Sequence, residues 1–321
     1  MNPNPSVRIG VSSCLLGEEV RHDGGHKRDP FLVQTLGPMI EWVPVCPEVE
    51  VGLGTPREAI RLVRDPKELD GVRLVTGKTG IDLTKRMRQY SRQRVRALAK
   101  ENLSGYILKK DSPSCGMERV KVWPAKGASE RNGRGLFAAE LCRQFPNMPI
   151  EEEGRLHDPR LRENFIDRVF IYRRLRRLFS GRWSVGDVVA FHTAHKLVLM
   201  AHSTQGYREL GRLVAEAKSV PRAELARRYE DELMTALSKP ATRARHTNTL
   251  QHAVGHFKRA LDPESRKELG LVIEDYRLGL IPLIVPLTLI RHHARHLKVD
   301  YLLGQRYLNP ELKELMLRNH V

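Results

Sequence analysis

Three of the chain's four cysteines stand in the same local setting, each where an apolar run gives way to a turn. Cys14 closes "VRIGVSSC", Cys46 sits in "EWVPVCPEV", and Cys115 follows "GYILKK" in the turn "DSPSCG". Short apolar runs bounded by turn residues predict strands. In a parallel sheet the carboxyl ends of the strands share one edge, where binding sites are built. Thiols far apart in sequence can therefore meet at one point. Their spacing matches no paired CxxC zinc arrangement. Two readings of the trio stand side by side. Free cysteine packs as a small apolar residue, so all three can be core. Turn positions beside proline and glycine suit core cysteines poorly, and three thiolates without histidine suit a soft metal centre with an open coordination position. An iron–sulfur cluster ordinarily takes four thiolates; one held by three keeps an iron free to act as a Lewis acid. Cys142, in "LFAAELCRQF", reads as a core residue in mid-helix.

The elements that position these thiols fall in the first half of the chain. From Val7 to about Pro149, apolar runs alternate with helical stretches such as "GIDLTKRMRQYSRQRVRALAKEN", whose apolar side carries Met87, Tyr90, Val95 and Leu98. That alternation predicts an α/β domain with a mostly parallel, Rossmann-like sheet over residues 1–150. The proline- and charge-rich "FPNMPIEEEGRLHDPRLRENF" reads as the boundary. Beyond it, long amphipathic patterns predict an all-α domain over residues 151–321. The longest apolar run, "LGLIPLIVPLTLI", is too short to cross a bilayer and carries two prolines, so it reads as a buried, kinked helix. With no secretory signal pattern and too few cysteines for a disulfide framework, a cytoplasmic protein without membrane partners is expected. The formal net charge is +17, spread over both halves, which points to a polyanionic partner. One motif misleads: "GVRLVTGKT" has the flavour of a phosphate-binding loop, but the glycine spacing is wrong for the backbone cradle.

The stretches "GVSSCLLGEEVRHDGG", "PVCPEVEVGLGTPRE" and "LKKDSPSCG" resemble the motifs of the DUF523 family of thiouracil desulfidases, and "FHTAHKLVLMAHS", "HTNTLQHAVGHFK" and "YLLGQRYLNPELKELMLRNH" resemble the DUF1722 domain. The pairing is similar to that of bacterial tRNA 4-thiouridine desulfidases. The resemblance implies a 4Fe-4S cluster held by Cys14, Cys46 and Cys115, a catalytic carboxylate at Glu48, and a catalytic serine at Ser112. The related "PEVxGGL" pattern reads "PEVEVGL" here, so Glu50 and Val51 are expected to reshape one wall.

A thiocarbonyl sulfur is soft and matches an unligated cluster iron. Glu48, two residues beyond a ligand, is placed to activate water or move protons at the attacked carbon, although an ion pair with Arg57 competes with that role. Ser112 and Ser114 can hydrogen-bond to a base or to cluster sulfides, and Asp23, in "RHDGG", either contacts substrate or shapes its turn. In the helical half, Arg173, Arg174, Arg176 and Arg177 are expected to meet tRNA phosphates, together with Lys85, Arg86, Arg88, Arg92, Arg94 and Arg96 of the first half. The target base would flip into the cluster pocket. The histidine-rich helices complete no known metal set and read as core or interface. The rival functions are desulfidation of free thiouracil and RNA binding by a protein whose cluster is structural or senses oxygen.

Overall fold

The computed structural model describes residues 7–68, 70–257, 260–309 and 318–319. The chain divides into two compact units, Met1–Asp158 and Pro159–Val321.

In the first unit the elements run β1 (Arg8–Ser12), β2 (Glu41–Val45), α1 (Pro47–Glu50), β3 (Ile60–Arg64), β4 (Val72–Thr76), α2 (Thr84–Leu98), β5 (Gly105–Leu108), β6 (Val120–Trp123), β7 (Glu130–Gly133), α3 (Leu136–Gln144) and β8 (Ile150–Glu152). Among the described residues these strands form two four-stranded sheets. One, in the order β2-β1-β5-β8, is parallel throughout, so the expected α/β layer is present. The two central strands, β1 and β5, are near-continuous buried runs, as strands covered on both faces require, whereas the edge strand β8 is acidic. All four residues of β5 are buried. Gly10 on β1 leaves room for the Tyr106 ring, which a Cβ there would meet at 2.2 Å.

The second sheet, in the order β4-β3-β6-β7, joins two antiparallel pairs through a parallel β3–β6 contact. One face packs Leu62, Val72, Leu74, Val120 and Val122 against Leu83, Met87 and Leu136. Alternation along β6 leaves Lys121 and Trp123 outside. The loop "TGKT" after β4 donates Lys78 N–H, Thr79 N–H and Thr79 Oγ1–H to the Glu58 carboxylate. The backbone donors that a phosphate would need are thus taken by a side chain of the protein.

The boundary lies later than residue 150. The run "IEEE" is no linker: Ile150–Glu152 forms β8, which pairs with β5 in register from Tyr106↔Ile150 to Leu108↔Glu152. An acidic run reads as loop by composition, but here its carboxylates have partners inside the unit, described below.

The second unit is helical: α4 (Pro159–Phe179), α5 (Val185–His202), α6 (Thr204–Ala215), α7 (Arg222–Ser238), α8 (Arg243–Gly255), α9 (Pro263–Leu278), α10 (Ile284–His296) and α11 (Asp300–Leu303). Local signals start these helices: Ser184 and Asp187 form a capping box at α5, Thr242 caps α8, and Asp262 caps α9 ahead of Pro263. Leu199, Leu210, Leu225, Leu233, Leu250, Leu269 and Ile290 are fully buried along these helices. The run Leu278–Ile290 is not one kinked helix. α9 ends at Leu278, Gly279 adopts φ 81°, and α10 begins at Ile284. A left-handed glycine ends the helix outright, and Leu280 at the break is 68% exposed. Among the described residues, no helix is long and apolar enough to cross a membrane.

Candidate functional site

The order of the parallel sheet sets β2, β1 and β5 side by side, with Val45 opposite Ser12 and Ile107 opposite Val11. Their carboxyl ends therefore lie in a row, and the cysteine-bearing turns leave from that row. After β1, Cys14 lies in a short 3-10 turn closed by Gly17, and its carbonyl accepts the Lys27 N–H at 2.9 Å. Cys46 is the N-cap of α1. After β5, Ser112 Oγ accepts the N–H groups of Ser114 at 3.2 Å and Cys115 at 3.1 Å, winding the chain into a tight serine turn. α3 completes the hold: Phe137 and Ala138 donate to the Ser114 carbonyl at 3.0 and 3.1 Å. This contact is possible because residue 135 is glycine, where a Cβ would meet the Ser114 backbone at 2.4 Å.

All three thiols line one cavity of about 490 Å³, with Ser12, Glu48, Arg57, Lys109 and Ser112 among its other walls. Cys14 and Cys115 are buried and Cys46 is half-buried. Burial pushes the Cys14 thiol up to about 11, with the nearby Cys46 adding and Lys109 and Arg21 opposing. Burial raises Cys46 as well, and raises Cys115 further, where Glu48, Cys14 and Cys46 add to the effect and a bond from Ser12 opposes it. The thiols are thus close enough to feel one another's charge. Cys142, on α3, is half-buried and lies outside this cavity.

Glu48 is no surface carboxylate. Its Oε2 pairs with the Arg57 guanidinium, and its Oε1 accepts Ser114 Oγ–H at 2.9 Å and Ser112 Oγ–H at 3.4 Å. The Arg57 side chain is 5% exposed and also donates to the carbonyls of Val20 and Gly54 at 2.9 Å. Ser112 faces the cavity, whereas Ser114 is fully buried behind Glu48 and props its carboxylate. The ion pair and the cavity position, posed as competing roles for Glu48, coexist.

Asp23 is not among the cavity walls. Its Oδ1 accepts the Gly25 N–H at 3.2 Å and lies 3.4 Å from Arg21 Nε, with half of the side chain exposed. It is a turn former, and the bond from Gly25 leads the effects that hold its carboxyl below the usual range.

The "EEE" run supplies residues that sequence reading missed. Glu153 pairs with Lys109 Nζ and accepts Lys110 N–H at 2.8 Å, and Glu152 accepts Met117 N–H at 2.8 Å. These acids brace both sides of the Cys115 turn. The available signal was the basic "KK" at the end of the neighbouring strand.

The donor chemistry around the trio suits the implied cluster. The donor set is three soft thiols with cations Arg21, Lys27, Arg57 and Lys109 around them, which offsets the negative charge of thiolates. A metal also removes the proton that burial otherwise favours on each sulfur. The Tyr106 hydroxyl, buried without a hydrogen-bond partner, is kept protonated by its burial, with the charge of Cys115 adding. Among the described residues, no group of three or more His, Cys, Asp or Glu closes around a single metal ion. Cluster cysteines bind separate irons and stand wider apart than the ligands of one ion. The residues fit the cluster.

On α4, Arg173 and Arg174 are half-buried while Arg176 and Arg177 are exposed. On α2, Arg88 pairs with Glu68 and Asp70, and Arg94 pairs with Glu50 at 2.9 Å. Lys85, Arg86, Arg92 and Arg96 remain exposed on that helix. The histidines of α5 are core: His192 Nδ1 is 3.2 Å from Tyr229 Oη, and His195 Nδ1 donates to the Phe191 carbonyl at 2.7 Å.

Residues 9–153 match the family model described as 2-thiouracil desulfurase, and residues 196–311 match that of the protein of unknown function DUF1722. Residues 310–317, at the end of the last DUF1722-like stretch, lie outside the described residues. Uncharacterized protein YbgA of Escherichia coli strain K12 is 34% identical over 149 residues, which is 46% of this chain and 88% of that protein. Uncharacterized protein YbbK of Bacillus subtilis strain 168 is 37% identical over 136 residues, 41% of this chain and 88% of that protein. Among solved structures, the [4Fe-4S]-dependent thiouracil desulfidase TudS is 30% identical, covering 47% of this chain and 94% of that one, with a TM-score of 0.40. The chain belongs to the 2-thiouracil desulfurase family, and it joins that family's domain to a DUF1722 domain.

Proposed function

We propose that this protein is an iron–sulfur-dependent desulfidase that removes sulfur from 4-thiouridine in tRNA, leaving uridine and hydrosulfide. The observation that carries the reading is the single cavity that gathers Cys14, Cys46 and Cys115 beside a half-buried, hydrogen-bonded Glu48. Those three thiols would hold a 4Fe-4S cluster, and no fourth cysteine lines the cavity. When bound, such a cluster supplies a thiophilic Lewis-acid iron that polarises a thiocarbonyl.

The chain's own residues do the rest. A carboxylate offers about four acceptor sites, so Glu48 can hold a water while Arg57, Ser112 and Ser114 keep its plane fixed. It takes one proton as the water oxygen bonds to C4 and returns it to the sulfur as the C4–S bond breaks, and the second proton of the water leaves the C4 hydroxyl to solvent as the carbonyl forms. Water and the thiocarbonyl become a carbonyl, hydrosulfide and a proton, with no net change of oxidation state. Arg57, anchored on the loop carbonyls of Val20 and Gly54, balances the charge of Glu48. Ser112 is placed on the wall to orient the base.

The RNA part of the reading rests on charge. The net +17, the exposed Arg176 and Arg177, and the exposed cations of α2 suit phosphate contacts. The family description favours a second reading, free thiouracil as the substrate. Anaerobic reconstitution followed by incubation with bulk thiolated tRNA and with free thiouracil separates the two. Hydrosulfide release from tRNA at the lower substrate concentration is expected; turnover of thiouracil with tRNA left thiolated would overturn the tRNA assignment.

A further inference from the structure

The outer face of the second sheet carries chemistry that the cavity does not use. β3 and β6 run parallel with Leu62 opposite Val122 and Val63 opposite Trp123. Leu62 and Val122 point into the core, so Arg61, Lys121 and Trp123 share the opposite face, and all three are exposed. Trp123 is 37% exposed, and the Arg61 guanidinium lies 5.7 Å from the centre of its ring. The other cations of this face have acidic partners: Arg73 pairs with Asp65 and Asp82, and Arg131 with Asp111. Among the described residues, no ion pair involves Arg61 or Lys121. The face therefore presents an open indole flanked by uncompensated positive charge.

This face also begins at the cavity. Ala59 and Ile60, at the start of β3, line the cavity wall, as does Asp111, the partner of Arg131. Val63, beside Trp123, lies three residues along the strand, about 10 Å away at ~3.3 Å per residue.

We propose that Trp123, Arg61 and Lys121 form a platform for single-stranded RNA, on which an unpaired base flanking the thiolated nucleotide stacks against the indole while the two cations hold the intervening phosphates. The proposal rests on the RNA substrate inferred above. Charge complementarity commits it to a polynucleotide: unpaired cations around an exposed aromatic are the makings of a base-stacking groove. The platform fixes the strand near a cavity that itself takes only the flipped base.

The test uses the full chain with its cluster reconstituted. Trp123→Ala should raise KM for thiolated tRNA by roughly 5- to 100-fold, the effect of losing one stacked base. Its kcat/KM for free thiouracil should stay near the parent value, because Trp123 does not line the cavity. Trp123→Phe should restore most of the tRNA affinity. Arg61→Gln and Lys121→Gln should each lower the slope of log Kd against log salt by roughly 0.7. Unchanged tRNA kinetics in Trp123→Ala, equal losses on both substrates, or no rescue by phenylalanine would each overturn the platform. Should the parent leave tRNA thiolated, the substrate reading fails first, and the platform is then tested alone by quenching of tryptophan fluorescence with an oligouridylate. A quench that disappears in Trp123→Phe supports the platform, and one that persists unchanged overturns it.

Discussion

Replacing Glu48 with glutamine asks whether its carboxylate does the proton chemistry. Removing one member of a buried ion pair costs about 3–5 kcal/mol when the other is left unpaired. Arg57 is not left so bare: it keeps the carbonyls of Val20 and Gly54 at 2.9 Å, and the glutamine oxygen can still accept from Ser114 and Ser112. The expected cost is therefore about 2–3 kcal/mol, within what a domain stable by about 5–15 kcal/mol withstands. The variant should fold and take up the cluster. An amide cannot accept the proton from water, so kcat should fall by roughly 10²- to 10⁴-fold with KM little changed. Hydrosulfide release under anaerobic conditions, normalised to the visible absorption of the cluster, reads the loss directly. Glu48→Asp should lie between the two, since it keeps the base but withdraws it from the serines. If Glu48→Gln with full cluster content runs within roughly threefold of the parent, a general base at this position is refuted.

Serine in place of Cys14, Cys46 or Cys115 should abolish cluster absorption on reconstitution, whereas Cys142→Ser should leave it intact; a cluster retained by any of the first three removes that residue from the ligand set. Changing Arg173, Arg174, Arg176 and Arg177 together to glutamine should weaken tRNA binding and reduce its salt slope by roughly one to three, and an unaltered slope means α4 does not meet the phosphates. A further prediction concerns pH. Burial holds His192 down to about 4, with Lys196 adding, and holds His195 down to about 3, with Arg174 and Arg306 adding against the bond to the Phe191 carbonyl. Above about pH 6.5 both rings are neutral whether folded or unfolded, so they give no pH dependence. Below it the unfolded chain takes up protons that the fold refuses, and stability falls by ~1.4 kcal/mol per pH unit for each ring until the folded value is reached. Thermal melts of the full chain between about pH 7 and 5 should show this decline, and His195→Gln should make it shallower; equal slopes in parent and variant contradict the assignment.

Sequence alone determined what neighbouring residues decide among themselves. Period and punctuation placed β1, β2, β5, α2 and the helices from α4 to α9, because strand and helix preferences act within a few residues. The same local signals put each of three cysteines just past a strand. Local rules failed where a distant partner outweighed them: the acidic run before Gly154 looked like linker until β5 and the Cys115 turn were set beside it.

Only the tertiary structure decided the rest. The adjacency of β2, β1 and β5 depends on which strand pairs with which, and that adjacency brings three separate turns to one cavity. The bonds that fix Glu48 reach it from Arg57 on one loop and from Ser112 and Ser114 in the turn after β5, while Asp23, equally acidic, is not among the cavity walls. The exposure of Trp123 beside Arg61 follows from the register of β6 on β3. Backbone preferences are written into each residue and its neighbours, but pairing order and ion pairs are chosen by the whole chain when distant segments close on one another and bury their apolar faces together.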